Sequence, residues 1–499
     1  MFFFSVLVGC SLVFDNVALA DSSSNYNSNV TNLTSDSTVS FDNTALNEVV
    51  LNDLKDQAII SEDESTFTAD NLAQLKSLSA NNVSGLSFDK HDVDIINEYM
   101  TNVTKFDFNS CSFDSNFNLG NFFSEAPEFA NRLNDVSVTN SSLDNSALSN
   151  TTGNIMTLEN VEKLDLSGNK LDNLDMVGGY SLPKLMSMNF SNNQIKTVKS
   201  VAAEASNNFK YLTELDLSHN LLSTLDGVQD YNFPNLETVD FGFNKLTNVS
   251  TTSQNTIVFE KLESLYINNN EINNLDGIAQ FKFPELTTID FSSNKLTSFE
   301  QLRTNYSNFP KVTLFKGDNN SISDFSPMTV IKNLNYSSSA KNQEINIKSE
   351  FELPSDSDYH IFKVKGPIVP VVLGNQGVVV GTNDSVKYSI ASAETPDIDN
   401  PVVYNSSTNE FLIYASRSSL SDEKIDFSML DGQISGVINL ENSWKSRTPT
   451  TPTTPTTRDK DYTYPKNYGN VKIGSVVYGT RHIYLYKNFT FNKKERRAS

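Results

Sequence analysis

Between Val161 and Ile322 one pattern recurs seven times: apolar-x-x-apolar-x-apolar-x-x-Asn-x-apolar. VEKLDLSGNKL, YLTELDLSHNLL and KLESLYINNNEI are clear copies. The asparagine column is Asn169, Asn193, Asn220, Asn244, Asn270, Asn294 and Asn320, at spacings of 24, 27, 24, 26, 24 and 26 residues. Five residues before each stands Leu164, Met188, Leu215, Val239, Leu265, Ile289 or Phe315. Three before stands Leu166, Phe190, Leu217, Phe241, Ile267 or Phe291, and Gly317 breaks the set. A two-residue step between apolar positions marks a short strand with alternate side chains pointing inward. A unit of this size cannot bury its apolar face alone. It must stack on its neighbours, and the strands of successive copies then pair in parallel.

The asparagine has a physical role in such a stack. Turning out of the strand leaves backbone N–H and C=O groups inside without ladder partners, and an unpaired buried polar group costs about 1–3 kcal/mol. One asparagine side chain offers both an acceptor and two donors. The column therefore reads as a structural asparagine ladder, and the unit as a leucine-rich repeat. The apolar pattern continues at steps of three through Leu171, Leu174 and Val177, Leu222, Leu225 and Val228, and Ile272, Leu275 and Ile278, which are assigned to the core of the outer arc. The frame extends upstream in altered form. Val103, Phe106, Phe108, Cys111 and Phe113 fit it, as do Leu133, Val136, Val138, Ser141 and Leu143, with Cys and Ser in the asparagine slot. Leu72, Leu75, Leu78 and Val83 look like a first repeat. LNEVVLNDL, Leu46 to Leu54, has helical spacing and suits the cap that terminal repeats need. A longer period is visible too: Phe233-Pro234 recurs as Phe283-Pro284, and Asp226-Gly227-Val228 as Asp276-Gly277-Ile278, 50 residues apart. The expected fold class is an α/β solenoid: right-handed leucine-rich repeats with a parallel concave sheet and an N-terminal helical cap, followed by a β-sandwich.

The chain has 499 residues, which bounds it at two or three domains. Residues 1–20 read as a secretory signal, with the apolar stretch Phe2 to Phe14 and the small-x-small site Ala18-Leu19-Ala20 before Asp21. No positive charge precedes the apolar run, so the true start is expected upstream. Leu7-Val8-Gly9-Cys10 also resembles a lipoprotein box. Cys10 and Cys111 are the two cysteines, so a processed chain would have no intrachain disulfide, and a repeat array without cysteine-capped ends points to a bacterial source. No stretch after Asp21 is long and apolar enough for a transmembrane helix. Residues 21–40, rich in Ser, Asn and Thr, are expected to be disordered. The helical cap is placed at 41–71 and the repeats at 72–330. Across 335–445 the apolar runs become short and β-rich (HIFKVK, GVVVG, FLIYA, GVINL), as in a β-sandwich that ends near the lone Trp444. A Thr/Pro linker at 446–460 has the composition of an extended spacer. The remaining basic module, 461–499, stops in mid-pattern and reads as truncated. From Arg458 to Ser499 there are 10 Lys/Arg against 3 Asp/Glu, or +7, while the whole chain carries −22, leaving −22 − 7 = −29 for the rest.

On these residues the repeats and cap resemble the internalin-like leucine-rich-repeat surface proteins of Gram-positive bacteria. That resemblance spans Leu46 to Leu440 and implies that the 335–445 segment is Ig-like. The tail resembles a C-terminal module of lactic-acid-bacterial surface proteins, on Val477-Tyr478-Gly479-Thr480, Ile483-Tyr484-Leu485-Tyr486-Lys487-Asn488 and Phe489 to Arg496. The resemblance implies association with the cell envelope, and the charge of Lys493, Lys494, Arg496 and Arg497 suits anionic cell-wall polymers. The concave face is the expected binding surface. Its central outward column is Asp165, Asn189, Asp216, Asp240, Tyr266, Asp290 and Lys316, and the column two residues earlier includes Lys163, Glu214 and Leu314. An acidic row suits a basic peptide, a cation or sugar hydroxyls, though a solvated strand face in an acidic protein would look the same. Tyr266 and Leu314 are the better single anchors.

Catalytic chemistry has little support. His91, His219, His360 and His482 are scattered, and no Cys/His set has metal-ligand spacing. Asp89-Lys90-His91-Asp92-Val93-Asp94 lacks the Gly and terminal Glu of a calcium loop. No catalytic residue, metal or cofactor is expected, and secretion with an acidic body argues against nucleic acid. The expected role is a secreted, surface-associated binding or adhesion protein that contacts a protein or glycan ligand on a host or microbial surface. The alternatives are a self-associating structural component of the envelope and, less favoured, a wall-active enzyme.

Overall fold

A computed structural model describes residues 34–149, 155–199, 209–335 and 337–352, then the segments 358–366, 370–372, 379–380, 387–390, 392–415, 423–429, 434–445, 474–478 and 481–485. The signal segment 1–20 with Cys10, the linker 446–460 and the cluster Lys493, Lys494, Arg496 and Arg497 lie outside the described residues.

The repeats form one parallel sheet of ten strands in chain order. They are β1 (Ser77–Asn81), β2 (Lys105–Asn109), β3 (Asp135–Thr139), β4 (Lys163–Asp165), β5 (Ser187–Asn189), β6 (Glu214–Asp216), β7 (Thr238–Asp240), β8 (Ser264–Tyr266), β9 (Thr288–Asp290) and β10 (Leu314–Lys316). Register is constant along the stack, so Leu164, Met188, Leu215, Val239, Leu265, Ile289 and Phe315 form one inward row. The steps-of-three residues are buried with them: Leu171, Leu174 and Val177, and their counterparts through Ile278. Gly317 departs from the inward pattern because two rings occupy its space. A Cβ there would lie 2.8 Å from the Phe299 ring and 2.9 Å from that of Phe315.

The outer arc changes along the array. The early rungs carry α-helices, α2 (Lys90–Tyr99), α3 (Leu119–Glu125) and α4 (Pro127–Ala130). Later rungs carry 3₁₀ turns at Asp175–Gly179, Val228–Asp230, Asp276–Gln280 and Ser326–Val330, on alternate rungs, which is the 50-residue period in three dimensions. The rung before the last of these carries a short α-helix, Glu300–Asn305, that runs into a 3₁₀ turn, Tyr306–Asn308.

Helix α1 (Thr44–Asp56) precedes the array and packs against β1. Leu46, Val49, Val50 and Leu54 fall on one face at helical spacing and are buried. The Asn43 side chain caps it by accepting the Leu46 N–H at 2.8 Å. At its far end Gln57 accepts the Lys76 N–H (2.8 Å) and donates to the Ser77 carbonyl (3.0 Å), covering exposed groups of β1. Order begins before the limit of 40 expected for the disordered segment: Thr38–Val39 pairs with Phe67–Thr68, because Val39 and Phe41 are buried in the core.

The border between repeats and β-region also differs from the expected gap at 330–335. Asn335 donates to the Thr313 carbonyl, Ser339 bridges to Lys316, and Gln343 enters the repeat core. Asn335 and residues 337–343 thus form a further rung, and the strand Ala340–Glu352 runs out of it. The described β-region has two larger sheets, one of four strands containing Ala340–Glu352 beside Ile434–Lys445, the other of three strands, His360–Lys365, Glu410–Ala415 and Val402–Asn405, together with the antiparallel pair Pro370–Val372 and Val379–Val380. Tyr388 from the first packs on Tyr404 (4.3 Å) and Phe411 (5.3 Å) of the second, so the sheets face each other. In the tail, Gly474–Tyr478 and Arg481–Leu485 form an antiparallel pair.

Candidate functional site: the concave sheet and its turns

Each strand ends in the same turn, which explains where the polar columns lie. The residue before each ladder position is left-handed: Ser110, Asn140, Gly168, Asn192, His219, Phe243, Asn269, Ser293, Asn319 and Asn342 all have φ between 52° and 69°. The next residue then points inward. Asn220, 4% exposed, accepts the Ile195 N–H on Oδ1 (2.9 Å), and its Nδ2 donates to the carbonyls of Phe190 (2.9 Å), Leu217 (3.1 Å) and Ser218 (3.1 Å). Asn169, Asn193, Asn244, Asn270, Asn294 and Asn320 are buried and bonded in the same way. Ser141 serves with fewer bonds, accepting the Cys111 N–H (3.1 Å) and donating to the Thr139 carbonyl (2.7 Å). At the other end Gln343 is a ladder member that the asparagine pattern missed. It accepts the Ile322 N–H (2.9 Å) and donates to the Gly317 carbonyl (2.8 Å). The available signal was its spacing, 23 residues after Asn320.

The outward columns form two straight rows. One runs Lys105, Asp135, Lys163, Ser187, Glu214, Thr238, Ser264, Thr288 and Leu314. The other runs Asp107, Ser137, Asp165, Asn189, Asp216, Asp240, Tyr266, Asp290 and Lys316. The structure therefore brings all ten candidate binding residues onto one face. It also gives most of the second row a turn-forming job. Oδ1 of Asp165, Asn189, Asp216, Asp240 and Asp290 accepts the N–H two residues on, from Ser167, Ser191, Ser218, Gly242 and Ser292, at 2.7–3.0 Å. The Asp-x-Ser and Asp-x-Gly tripeptides carried that signal.

The face has two electrostatic characters. Its first part is mixed: Lys105 pairs with Asp107 (2.8 Å), Asn189 donates to Asp165 (3.1 Å), and an open hollow of about 310 Å³ lies over Lys105, Asp107, Asp135, Lys163 and Asp165. The later part holds Glu214, Asp216, Asp240 and Asp290, and among the described residues no lysine or arginine forms an ion pair with any of them. Burial raises the Asp240 carboxyl above the usual range, the Gly242 N–H opposes that, Asp216 adds to it, His219 opposes it, and Asp290 adds to it. Beside this stretch the rings of His219 and Phe243 stack at 4.0 Å and 10°, and Phe243 is 47% exposed. Sequence reasoning passed over both. The signal was a bulky residue in a turn position that elsewhere holds Gly, Asn or Ser.

The acidic cluster at Asp89 to Asp94 is structural. Asp89 caps α2 by accepting the Asp92 N–H (3.0 Å). Asp92 is fully buried and accepts the N–H groups of Asp42 (2.7 Å) and Asn43 (3.2 Å). The histidines occupy separate elements: His91 in α2, His219 on a concave turn, His360 and His482 in strands of the β-region and tail. Among the described residues no group of three His, Cys, Asp or Glu is placed to hold a metal ion, and no helix is long and apolar enough to cross a membrane.

Residues 210–251 and 260–304 match the family model described as Leucine Rich repeats (2 copies). The human protein "Leucine-rich repeats and immunoglobulin-like domains protein 1" is 34% identical over 89 residues, 18% of this chain, and the match spans 8% of that relative's length. Among solved structures, an internalin of Listeria monocytogenes is 18% identical, with 61% of this chain and 84% of that chain covered and a TM-score of 0.39. An internalin-like protein of the same organism is 14% identical, with 80% and 95% covered and a TM-score of 0.34. Similarity of that order does not bear on function. The family match over 210–251 and 260–304 and the constant register of the ten-stranded sheet together make residues 77–316 a leucine-rich-repeat solenoid.

Proposed function

We propose that the protein is a non-enzymatic binding protein whose concave sheet takes a protein or glycan partner. The observation that supports this best is the row from Asp216 to Asp290 with Tyr266 at its centre, a half-buried aromatic ring among carboxylates without ion-pair partners among the described residues. A flat sheet face with a central aromatic anchor and adaptable polar neighbours suits recognition of a surface and has no enclosed site for chemistry.

In this reading residues 1–20 direct secretion and the 335–445 region is an Ig-like β-sandwich that carries the repeats. The 446–460 linker extends them from the surface. The basic module holds the protein to anionic wall polymers through Lys493, Lys494, Arg496 and Arg497. Binding of the full chain to mucin, matrix proteins and bacterial cells tests the first part. Saturable binding is expected, reduced in Tyr266→Ala. No saturable binding to any of these surfaces overturns it, and concentration-dependent self-association in sedimentation would favour a structural envelope role instead. Salt tests the second part: raising ionic strength releases the protein from cell walls, since exposed charge pairing is screened. Retention unchanged at high salt rejects the electrostatic attachment.

A further inference from the structure

The later half of the concave sheet is an unpartnered face with a spatial pattern as well as a sign of charge. Asp216 and Asp240 are register neighbours, Tyr266 follows, then Asp290, then Lys316. Adjacent strands are about 4.8 Å apart, so Asp290 lies about 14 Å from Asp216 along the solenoid axis. Each of the three aspartates spends Oδ1 on its own turn. Among the described residues no donor meets Oδ2 of any of the three.

The turns beside Asp216 and Asp240 add an aromatic wall. Phe243 holds a left-handed φ of 54° and exposes nearly half its surface against His219. A bulky side chain in that region is strained and persists where the surroundings impose it. Gly242, between Asp240 and Phe243, places no side chain over the floor, and a Cβ there would approach Asp240 Oδ1 to 2.9 Å. Carboxylates beside an exposed ring fit a guanidinium or ammonium whose apolar stem lies on the ring.

An extended polypeptide advances about 3.3 Å per residue, so side chains at i and i+4 lie on one side about 13 Å apart. That matches the separation of Asp216 and Asp290, with the i+2 side chain between Asp240 and Tyr266. A further base at i+6 would meet Lys316, which limits the register. We propose that this face docks an extended polypeptide segment lying along the solenoid axis, with basic side chains at i and i+4 set against Asp216–Asp240 and Asp290. The inference rests on the reading of the concave sheet as the binding face and names the chemistry of its partner.

The test uses the full chain and two synthetic nonapeptides in a Ser/Thr/Gly background, with arginines at positions 3 and 7 or at positions 3 and 4, read by fluorescence anisotropy at about 0.15 M salt. The spaced peptide is expected to bind about tenfold more tightly than the adjacent one. Asp216→Asn with Asp290→Asn, which keeps the turn acceptors, should remove that preference, and Phe243→Asn should weaken binding several-fold. A charge-matched control that neutralises two exposed acids of the outer arc, Glu128→Gln with Asp230→Asn, should leave it intact. Equal affinity for the two peptides, or equal loss in the control, overturns the inference in favour of diffuse polyanion attraction. Binding that emerges only after Lys493, Lys494, Arg496 and Arg497 are neutralised also overturns it, by identifying the chain's own tail as the occupant. If neither peptide binds while Tyr266→Ala still reduces attachment to cells, this inference fails and the wider reading stands.

Discussion

The two halves of the solenoid solve one problem with different materials. From Ser77 to Leu148 the rungs are long, 30 residues from Cys111 to Ser141 and 28 from Ser141 to Asn169, against 24–27 thereafter. The extra length allows five-residue strands and several α-helices on the outer arc, while later strands have three residues and most outer turns tighten to 3₁₀, with the short helix Glu300–Asn305 as the exception. A wider rung has more interior to fill, and it is filled with rings. Phe106 packs on Phe108 (4.5 Å), Phe122 (5.6 Å), Phe123 (5.9 Å) and Phe129 (6.2 Å). The ladder there is weak, with Cys111 and Ser141. The later half has narrower rungs and a ladder in which each asparagine makes four bonds, as Asn220 does. One half leans on apolar volume, the other on satisfied amides.

That contrast can be broken by substitution. Phe106→Ala should be the most damaging change, about 4 kcal/mol in urea unfolding, because no neighbouring ring can collapse into the gap without leaving its own contacts. Asn220→Ala should cost about 3 kcal/mol, by stranding one buried N–H and several carbonyls, while Ser141→Ala should cost only about 1 kcal/mol. Equal costs at Asn220 and Ser141 would remove the distinction between the halves.

The N-terminal end adds a pH dependence of its own. Asp53 joins α1 to β1 through the Ser79 N–H (2.6 Å) and Ser79 hydroxyl (2.7 Å), and Asp92 joins α2 to the start of α1. Burial pushes both carboxyls up to about 6 against a hydrogen-bonding pull downward. A carboxyl raised in the folded state holds its proton where the unfolded chain has released it. Its contribution therefore weakens as pH rises from about 4 to about 6, on the order of 2 kcal/mol for each group. Thermal melting should show Asp53→Asn with Asp92→Asn losing less stability than the parent between pH 5 and pH 7. The smallest effect is expected at Phe243. Phe243→Asn should stabilise the later half by about 1 kcal/mol, since asparagine takes the left-handed turn more readily, while binding to the concave face falls. A stability loss there would mean that the ring supports the fold.

Much of this was legible from spacing. The asparagine column, the inward rows and the two outward rows follow from strict periodicity, because each rung repeats the same two-residue step and the same turn. The helix at Leu46 to Leu54 was legible for the same reason. Other features were not. Gln343 fell outside an asparagine pattern although a longer amide reaches the same carbonyl and N–H. The second job of Asp216, Asp240 and Asp290 was hidden because a carboxylate that faces outward can still accept from its own turn. The rung at 337–343 was assigned to the β-sandwich, since Ser338 and Ala340 at its inward positions leave almost no apolar signature.

By itself the sequence determined the repeat, the face each residue occupies and the ladder that joins the rungs, because these depend on local periodicity and on the requirement that buried amides be paired. Only the tertiary structure decided how the rungs differ. It set helix against 3₁₀ turn on the outer arc, stacked His219 on Phe243 from neighbouring rungs, and used Gln343 to fuse the array to the β-region. Those outcomes depend on what the adjoining rung presents across a gap of about 4.8 Å, and no single repeat contains that information.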